Sequence, residues 1–526
     1  MQTDTNTPVR RHRAPSACAV PVLRHGNVWL RNGGRTLLAC GLLLGACTES
    51  SPLSPLPPAG ALDSESPPSD SQVDTAEARV PPALPELFPE GLPASELLGE
   101  VSGLRALRTI IHAHTVYSHD ACDGQPVLES GEVNEACLAS FRTALCTDRI
   151  DMIFLTEHTD RMALEMDFEK LFLHRTGDEW VEEDGRRVAN AVVCEDGHRA
   201  LIVPGLEGSG GGVSVLGMFE HPAEGSAEAV KAAYEVDSAE GIQNLRAHGA
   251  VPVAIHLENT TVPWLQTTDL DAIEVGNLHI LVAPDIREEI GLPPETPVVA
   301  FTEWLFSPEK FPDPDLVFLA FHERLDLYHE WWDAVLSQRM ISGFAGNDVH
   351  QNVLDIPMAD GDRPDSYRRM MKWYSNYALV EEATPSAVRK AITKGRLFMV
   401  FEILGSPVGM DFRAESGEQS WGMGEQVPTS ARTSEGGLRL RAPVPTALIG
   451  NASVPTSPVM RLFRITSEGS EKVATVNGAL DFTVETPGRY RLEIFLTPTH
   501  LQPYLQGNDA LLREFPWVYS NPIEIL

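Results

Sequence analysis

Between about Leu104 and Gly409, short apolar runs end one after another in His, Glu or Asp. RTIIHAH closes on His112 and His114, DMIFLTEH on Glu157 and His158, and RALIVPGLE on Glu207. VPVAIHLE then supplies His256, and ISGFAGNDVH supplies Asp348 and His350. Imidazole and carboxylate together suit zinc, manganese or iron, and a shared carboxylate can bridge two ions a few ångströms apart. Water held by such ions has its pKa lowered toward neutrality. Hydroxide can then attack a phosphorus or carbonyl centre without a Ser or Cys nucleophile. One His at a strand end is ordinarily a capping or hydrogen-bonding group; the recurrence of such residues in register on successive runs makes an accidental polar rim a poor explanation.

The runs must be placed by elements that bring their ends together. They are short and β-rich, and helical patterns separate them, including ACLASFRTALC, SAEAVKAAYE, LYHEWWDAVLSQRM and SAVRKAITKG. Strands alternating with helices predict a parallel sheet wrapped by helices, and the spacing suits a barrel. In such barrels the working site lies at the carboxyl ends of the strands, which is where these residues fall. Alternation along a strand would point His112 and His114 to the same face. Beyond about Asp411 the pattern changes to short alternating runs, LRLRAPV, VMRLFRITS, ALDFTVET and YRLEIFL, punctuated by Gly, Ser and Pro. That predicts a small, immunoglobulin-like β-sandwich over 411–526.

With these motifs in family order (HAHTVYSHD, FLTEH, PGLE, AIH, and GNDVH preceded by WWDAVLSQRMISG), the stretch from Thr109 to Phe398 resembles the polymerase and histidinol phosphatase (PHP) superfamily of metal-dependent hydrolases. The resemblance implies a distorted (β/α)7 TIM-like barrel over 104–410 holding two or three divalent ions. It assigns His112, His114, Glu207 and Asp348 to one ion, Glu207 and His256 to a second, and Asp120, His158 and His350 to a third. Three positions depart from the family pattern. Glu157 stands where Asp is common and reads as a group behind the ligands. Either His119 or Asp120 can fill the first-motif position, with Asp120 preferred. Gly212 stands where a His commonly follows the third-motif Glu, and His221 replaces it only if the local fold differs.

The expected activity is phosphoester hydrolysis of a small phosphorylated substrate, with Asp348 or His256 relaying a proton and Arg161 clamping phosphate through paired hydrogen bonds. Asn277 in IEVGN is a further candidate for the mouth, whereas the tryptophans of WWDAV read as packing. Two alternatives remain open: the same site acting on a carboxylic ester or carbamate, and a degenerate barrel that binds ligand at the cell surface.

Length and composition frame this reading. With 526 residues, 43% hydrophobic and 22% charged, the chain exceeds one ordinary core. A formal net charge of −33 argues against nucleic acid as a partner. Six Arg precede or flank the apolar run TLLACGLLLGA, which is too short to span a bilayer permanently and leads into Cys47. Leu44-Gly45-Ala46-Cys47 resembles a bacterial lipobox. Residues 1–47 are therefore expected to be a lipoprotein signal, with Cys47 acylated and the protein anchored in the cell envelope, at the outer membrane by the identity of Thr48. Residues 48–103, rich in Pro, Ser and acidic side chains, read as a disordered spacer. Once Cys18, Cys40 and Cys47 are set aside, Cys122, Cys137, Cys146 and Cys194 remain and allow two disulfides in three connectivities.

Overall fold

Val, Ile, Leu and Phe dominate the runs read as strands, and each run forms one strand or two. The structure, a computed structural model, describes residues 87–88, 91–308, 313–433 and 436–526, which fall within one unit, Pro81–Leu526. The predicted signal with Cys47, and the spacer as far as residue 86, lie outside the described residues. Order begins earlier than the spacer's expected end at 103. Leu92, Leu98 and Val101 are buried, Glu100–Val101 pairs with the first long strand, and the carbonyl of Pro93 accepts a hydrogen bond from Arg108.

The strands in chain order are β1 (Leu104–Ile111), β2 (Met152–Phe154), β3 (Glu157–His158), β4 (Arg186–Val193), β5 (Arg199–Val203), β6 (Gly205–Glu207), β7 (Ser214–Leu216), β8 (Val251–Ala254), β9 (Ala272–Asn277), β10 (Ser342–Gly346), β11 (Tyr374–Val380) and β12 (Leu397–Phe401). They form two sheets. One contains the order β12-β11-β1-β2-β5-β4, and the other runs β10-β9-β8-β7-β6-β3. The pairs β1–β2, β2–β5, β8–β9 and β9–β10 are parallel, as the alternating pattern predicts. By contrast, β7 is antiparallel to both its neighbours.

The molecule is thus mixed α/β, but its strands do not close into the single ring that a (β/α)7 barrel requires. Two local causes are visible. Pro204, which has no N–H to donate, separates β5 from β6. In addition, β11 takes Arg105–Thr109 of β1 in an antiparallel ladder, leaving only the end of β1 to meet the continuation of β10. That junction is made by Asn347 N–H to Ile111 O (3.1 Å), Asp348 N–H to His112 O (2.7 Å), and a bridge between Ala113 and Val349. Leu107, Ile111, Phe154, Val203, Leu216, Val253 and Phe344 come from both sheets and share one apolar cluster. Val388 and Ile392 of the helix Pro385–Lys394 join it. Each such buried side chain contributes about 1.5–3 kcal/mol of transfer free energy, so the strand ends rest on a well-packed base.

All four late β-runs form strands, yet hydrogen bonding runs across position 410. Phe515–Ser520 pairs with β12 through Phe398 and Ser520, and Gly488–Leu496 continues the same sheet. The Asn521 side chain donates to Gly343 O and Leu397 O and accepts from Gly343 N–H. The cysteines pair as Cys122–Cys137 and Cys146–Cys194.

Candidate metal centre

Where the strands end, the backbone turns sharply. His112, His256 and Asp348 all have positive φ, at 71°, 50° and 49°. Left-handed backbone costs a non-Gly residue about 1–3 kcal/mol and persists only where its surroundings enforce it. Here it ends strand alternation and swings the three side chains inward. His114 follows on the bridge to Val349, and Glu207 ends β6.

The donor atoms meet in overlapping sets. His112 Nε2 lies 3.3 Å from Glu207 Oε2 and 3.1 Å from Asp348 Oδ1, and His114 Nε2 lies 3.1 and 3.3 Å from the same two oxygens. Asp120 Oδ2 is 3.3 Å from both His158 Nε2 and His350 Nε2. On the far side of the two bridging carboxylates, His256 Nε2 is 3.6 Å from Glu207 Oε1 and 3.3 Å from Asp348 Oδ2. The first two groupings fit a metal ion by proximity, as His112/His114/Glu207/Asp348 and His114/Asp120/His158/His350. A third, His279/Asp348/His350, contains a residue that motif reading passes over.

Hydrogen bonding shows whether these donors are prepared for a cation. Each of four imidazoles directs Nδ1 outward: His112 to Glu274 Oε1 (2.8 Å), His114 to Ser118 Oγ (2.9 Å), His256 to Glu258 Oε1 (2.9 Å) and His350 to the Asp348 carbonyl (3.0 Å). An Nδ1–H donated to an acceptor fixes the tautomer and leaves the Nε2 lone pair facing the cluster. Ser118 Oγ in turn donates a hydrogen bond to Glu157 Oε2 (2.7 Å), and Tyr328 hydrogen-bonds Glu258. Inside the cluster, Asp348 Oδ1, Asp120 Oδ1 and His350 Nε2 are buried without an aligned hydrogen-bond partner among the described residues. Buried polar atoms are normally satisfied. Asp348 Oδ1 stands 3.1 and 3.3 Å from the Nε2 atoms of His112 and His114, and His350 Nε2 stands 3.3 Å from Asp120 Oδ2; a cation would satisfy these atoms, and the donor set fits one.

Electrostatics of the bare cluster agree. Burial penalises the charge on Asp348 and Glu207, but the surrounding imidazoles outweigh it and hold both carboxyls well below their ordinary range. Burial likewise opposes protonation of His112 and His256. The Asp348 carboxylate overcomes this, aided by Glu274 at His112 and by Glu258 at His256, and raises both well above an ordinary histidine.

The remaining expectations sort out geometrically. Asp120 reaches the cluster, whereas His119 is exposed beside Asp160. Glu157 accepts from Thr115 N–H, the Thr115 hydroxyl and Ser118, so it orients His114 from behind. His221 is not brought to the cluster by any contact: Tyr234 and the Glu165 carbonyl take its two nitrogens. Gly212 lies in a tight turn, and a Cβ on neighbouring Gly211 would come within 2.5 Å of the Asn259 carbonyl oxygen. Asn277 is buried, donates to Glu274 and caps the short helix that carries His279. Trp332 is packing, as its Nε1 donates to the Ile341 carbonyl in the core. Arg161 is half-buried on the turn after His158 and makes no ion pair among the described residues.

Sequence reasoning missed Glu274 and His279. The available signal was a Glu in the middle of the apolar run AIEVGN, a position where a charged residue demands a partner.

No family model matches this chain, nor does any curated protein. Two solved structures are similar. One, from Bacteroides vulgatus, is described as a two-domain protein containing a predicted PHP-like metal-dependent phosphoesterase; it is 11% identical, covers 84% of this chain and 99% of its own, and gives a TM-score of 0.32. The other is PsfC from Pseudomonas syringae, 15% identical over 56% of this chain and 91% of its own, with a TM-score of 0.30. Likenesses this loose bear no weight on function.

Proposed function

We propose that the protein is a metal-dependent hydrolase acting as a phosphoesterase on a small phosphorylated substrate. The observation that carries this reading is the convergence of His112 Nε2 and His114 Nε2 on Glu207 Oε2 and Asp348 Oδ1, every imidazole–carboxylate separation being 3.1–3.3 Å. Zinc, manganese or iron suits these donors. Two or three ions would be held: by His112, His114, Glu207 and Asp348; by Asp120, His158 and His350; and on the Glu207–His256 side. Such ions, when bound, lower the pKa of water and polarise phosphoryl oxygens.

The chain's own side chains do the rest. Hydrogen bonds from Nδ1 fix the imidazoles of His112, His114, His256 and His350 above a packed apolar base. Asp348, and His256 through the Nδ1–H it directs to Glu258, are the side chains that would relay a proton. Arg161 supplies a guanidinium for paired hydrogen bonds to phosphate. A net charge of −33 disfavours polyanions, consistent with a small substrate. We further propose that the mature chain is tethered through Cys47 in a bacterial cell envelope, at the outer membrane; the two disulfides support an oxidising compartment.

Hydrolysis of an aryl phosphate, a phosphodiester and an aryl ester by the metal-loaded full chain, with Asp348→Ala beside it, tests the reading. Phosphate turnover that disappears in the variant is expected. Full phosphatase activity in Asp348→Ala would overturn it, and turnover confined to the aryl ester would move the same site to carbonyl chemistry.

A further inference from the structure

Asp348 presents its two oxygens to different neighbours. Oδ1 faces His112, His114 and His350, at 3.1, 3.3 and 3.4 Å. Oδ2 faces His256 at 3.3 Å and the Nδ1 of His279 at 3.9 Å. Glu207 divides in the same sense, Oε2 toward His112 and His114 and Oε1 toward His256. On the second side the implied ligands alone are few. The turn after Glu207 offers only Ser and Gly, and Gly211 is pressed so closely against the Asn259 carbonyl that a side chain has no room there.

His279 comes from another direction. It sits in the first turn of the helix Leu278–Val282, which Asn277 caps, and Asn277 is tied to Glu274, the carboxylate that also holds His112 Nδ1 and the His256 N–H. Among the described residues the His279 ring makes no hydrogen bond, and its contact with Asp348 is too long to be one. Two donors each about 2.1 Å from a shared ion stand at most about 4.2 Å apart, a span that includes the observed 3.9 Å. The side chain is 24% exposed, so it faces the mouth rather than the core.

We propose that His279 is a metal ligand: it stands in one donor group with Asp348 and His350 and adds a donor on the Asp348 Oδ2 side, where the Gly-rich turn leaves a second ion short of one. This rests on the metal-dependent reading of the protein. The test is elemental mass spectrometry and cobalt(II) titration, followed by visible absorbance, of the metal-stripped full chain, of His279→Ala and of His279→Asp. The wild type is expected to take up at least two equivalents. In His279→Ala the weaker one should be lost or weakened at least about tenfold, the tighter one should be unchanged, and His279→Asp should restore part of the loss. Melting of the metal-free variants controls for folding. Equal stoichiometry and affinity in His279→Ala would overturn this inference and leave the proposed function standing. No metal uptake by the wild type would overturn both.

Discussion

Glu274→Gln changes one atom at a fully buried position and should weaken the binding of an ion that Glu274 itself does not hold. In the wild type, Oε1 accepts from His112 Nδ1 at 2.8 Å, while Oε2 accepts from the His256 N–H and from Asn277 Nδ2, both at 3.1 Å. An amide has one acceptor oxygen. Placed to serve His256 and Asn277, it turns its NH2 toward His112, whose Nδ1 must then become the acceptor. The ring proton moves to Nε2, and the atom facing Glu207 and Asp348 carries N–H in place of a lone pair. Placed the other way, it leaves two buried donors facing a donor, at about 1–3 kcal/mol each, so the first arrangement prevails. Outer partners of metal-binding histidines are worth about 10- to 100-fold in affinity, or about 1.4–2.8 kcal/mol. Competition titration of zinc against a chromophoric chelator should show a loss of that size, with the melting temperature of metal-free protein little changed beside it. A variant that binds zinc as tightly as the wild type would refute the claim that Glu274 sets the His112 tautomer.

Gly346→Ala should reach the same ligand by crowding, because its Cβ would lie 1.8 Å from Glu274 Oε1 and 3.2 Å from His112 Nδ1. Loss of about 1–3 kcal/mol in denaturant unfolding, together with weakened metal binding, is expected; an unaltered melt and affinity would show that the pair can move aside. Asp148 is buried with neither carboxylate oxygen hydrogen-bonded, and burial pushes its pKa up to about 7. Its folded value exceeds its unfolded one. The stability it permits is therefore fully present below about pH 4 and lost as pH rises through about 7, so Asp148→Asn should stabilise the protein by a few kcal/mol at pH 8 and scarcely at pH 4, at about 1.4 kcal/mol per unit. Chemical unfolding at the two pH values decides it, and a pH-independent difference would count against buried ionisation. Cys122–Cys137 closes a loop of 15 residues beside Asp120, worth about 3 kcal/mol in the chain-entropy account. Replacing both cysteines by Ser should lower the melting temperature and weaken the ion held by Asp120, His158 and His350 before the one held by Asp348. Uniform weakening of all ions, seen by metal titration, would contradict that order.

The donors His112, His114, His158, Glu207, His256, Asp348 and His350 were legible because each interrupts an apolar run at its end, and a strand end is fixed by a local pattern. Asp120 and the sorting of donors into sets came from resemblance; proximity in the structure groups His112, His114, Glu207 and Asp348 together, and Asp120, His158 and His350 together with His114, but forms no group with His256. Other features depend on pairings between distant segments. Four cysteines leave three connectivities that only folding distinguishes. The register of Phe398 against Ser520, which carries a sheet across position 410, links residues far apart in the chain. The same holds for the competition between β11 and the continuation of β10 for the edge of β1, which leaves the expected barrel without a closed sheet.

His279 and Glu274 were hidden for a related reason. Glu274 lies mid-strand, where a sequence window shows a charge in an apolar run but not the three donors waiting for it. Left-handed backbone at His112, His256 and Asp348 was hidden too, since nothing marks a non-Gly residue for positive φ in advance. These features share one logic. Each is unfavourable by itself: three left-handed residues at about 1–3 kcal/mol apiece, a buried Glu in a strand, and carboxylate oxygens without partners. Local propensity disfavours all of them, so a reading built on propensity passes over them. They become consistent only when considered together, because Glu274 holds His112, His256 and, through Asn277, the helix bearing His279, while the left-handed turns aim His112, His256 and Asp348 at one another. A cation among those atoms satisfies what the bare fold leaves open, and the concentration of unfavourable choices at one set of strand ends is the physical argument that the site is built to bind one.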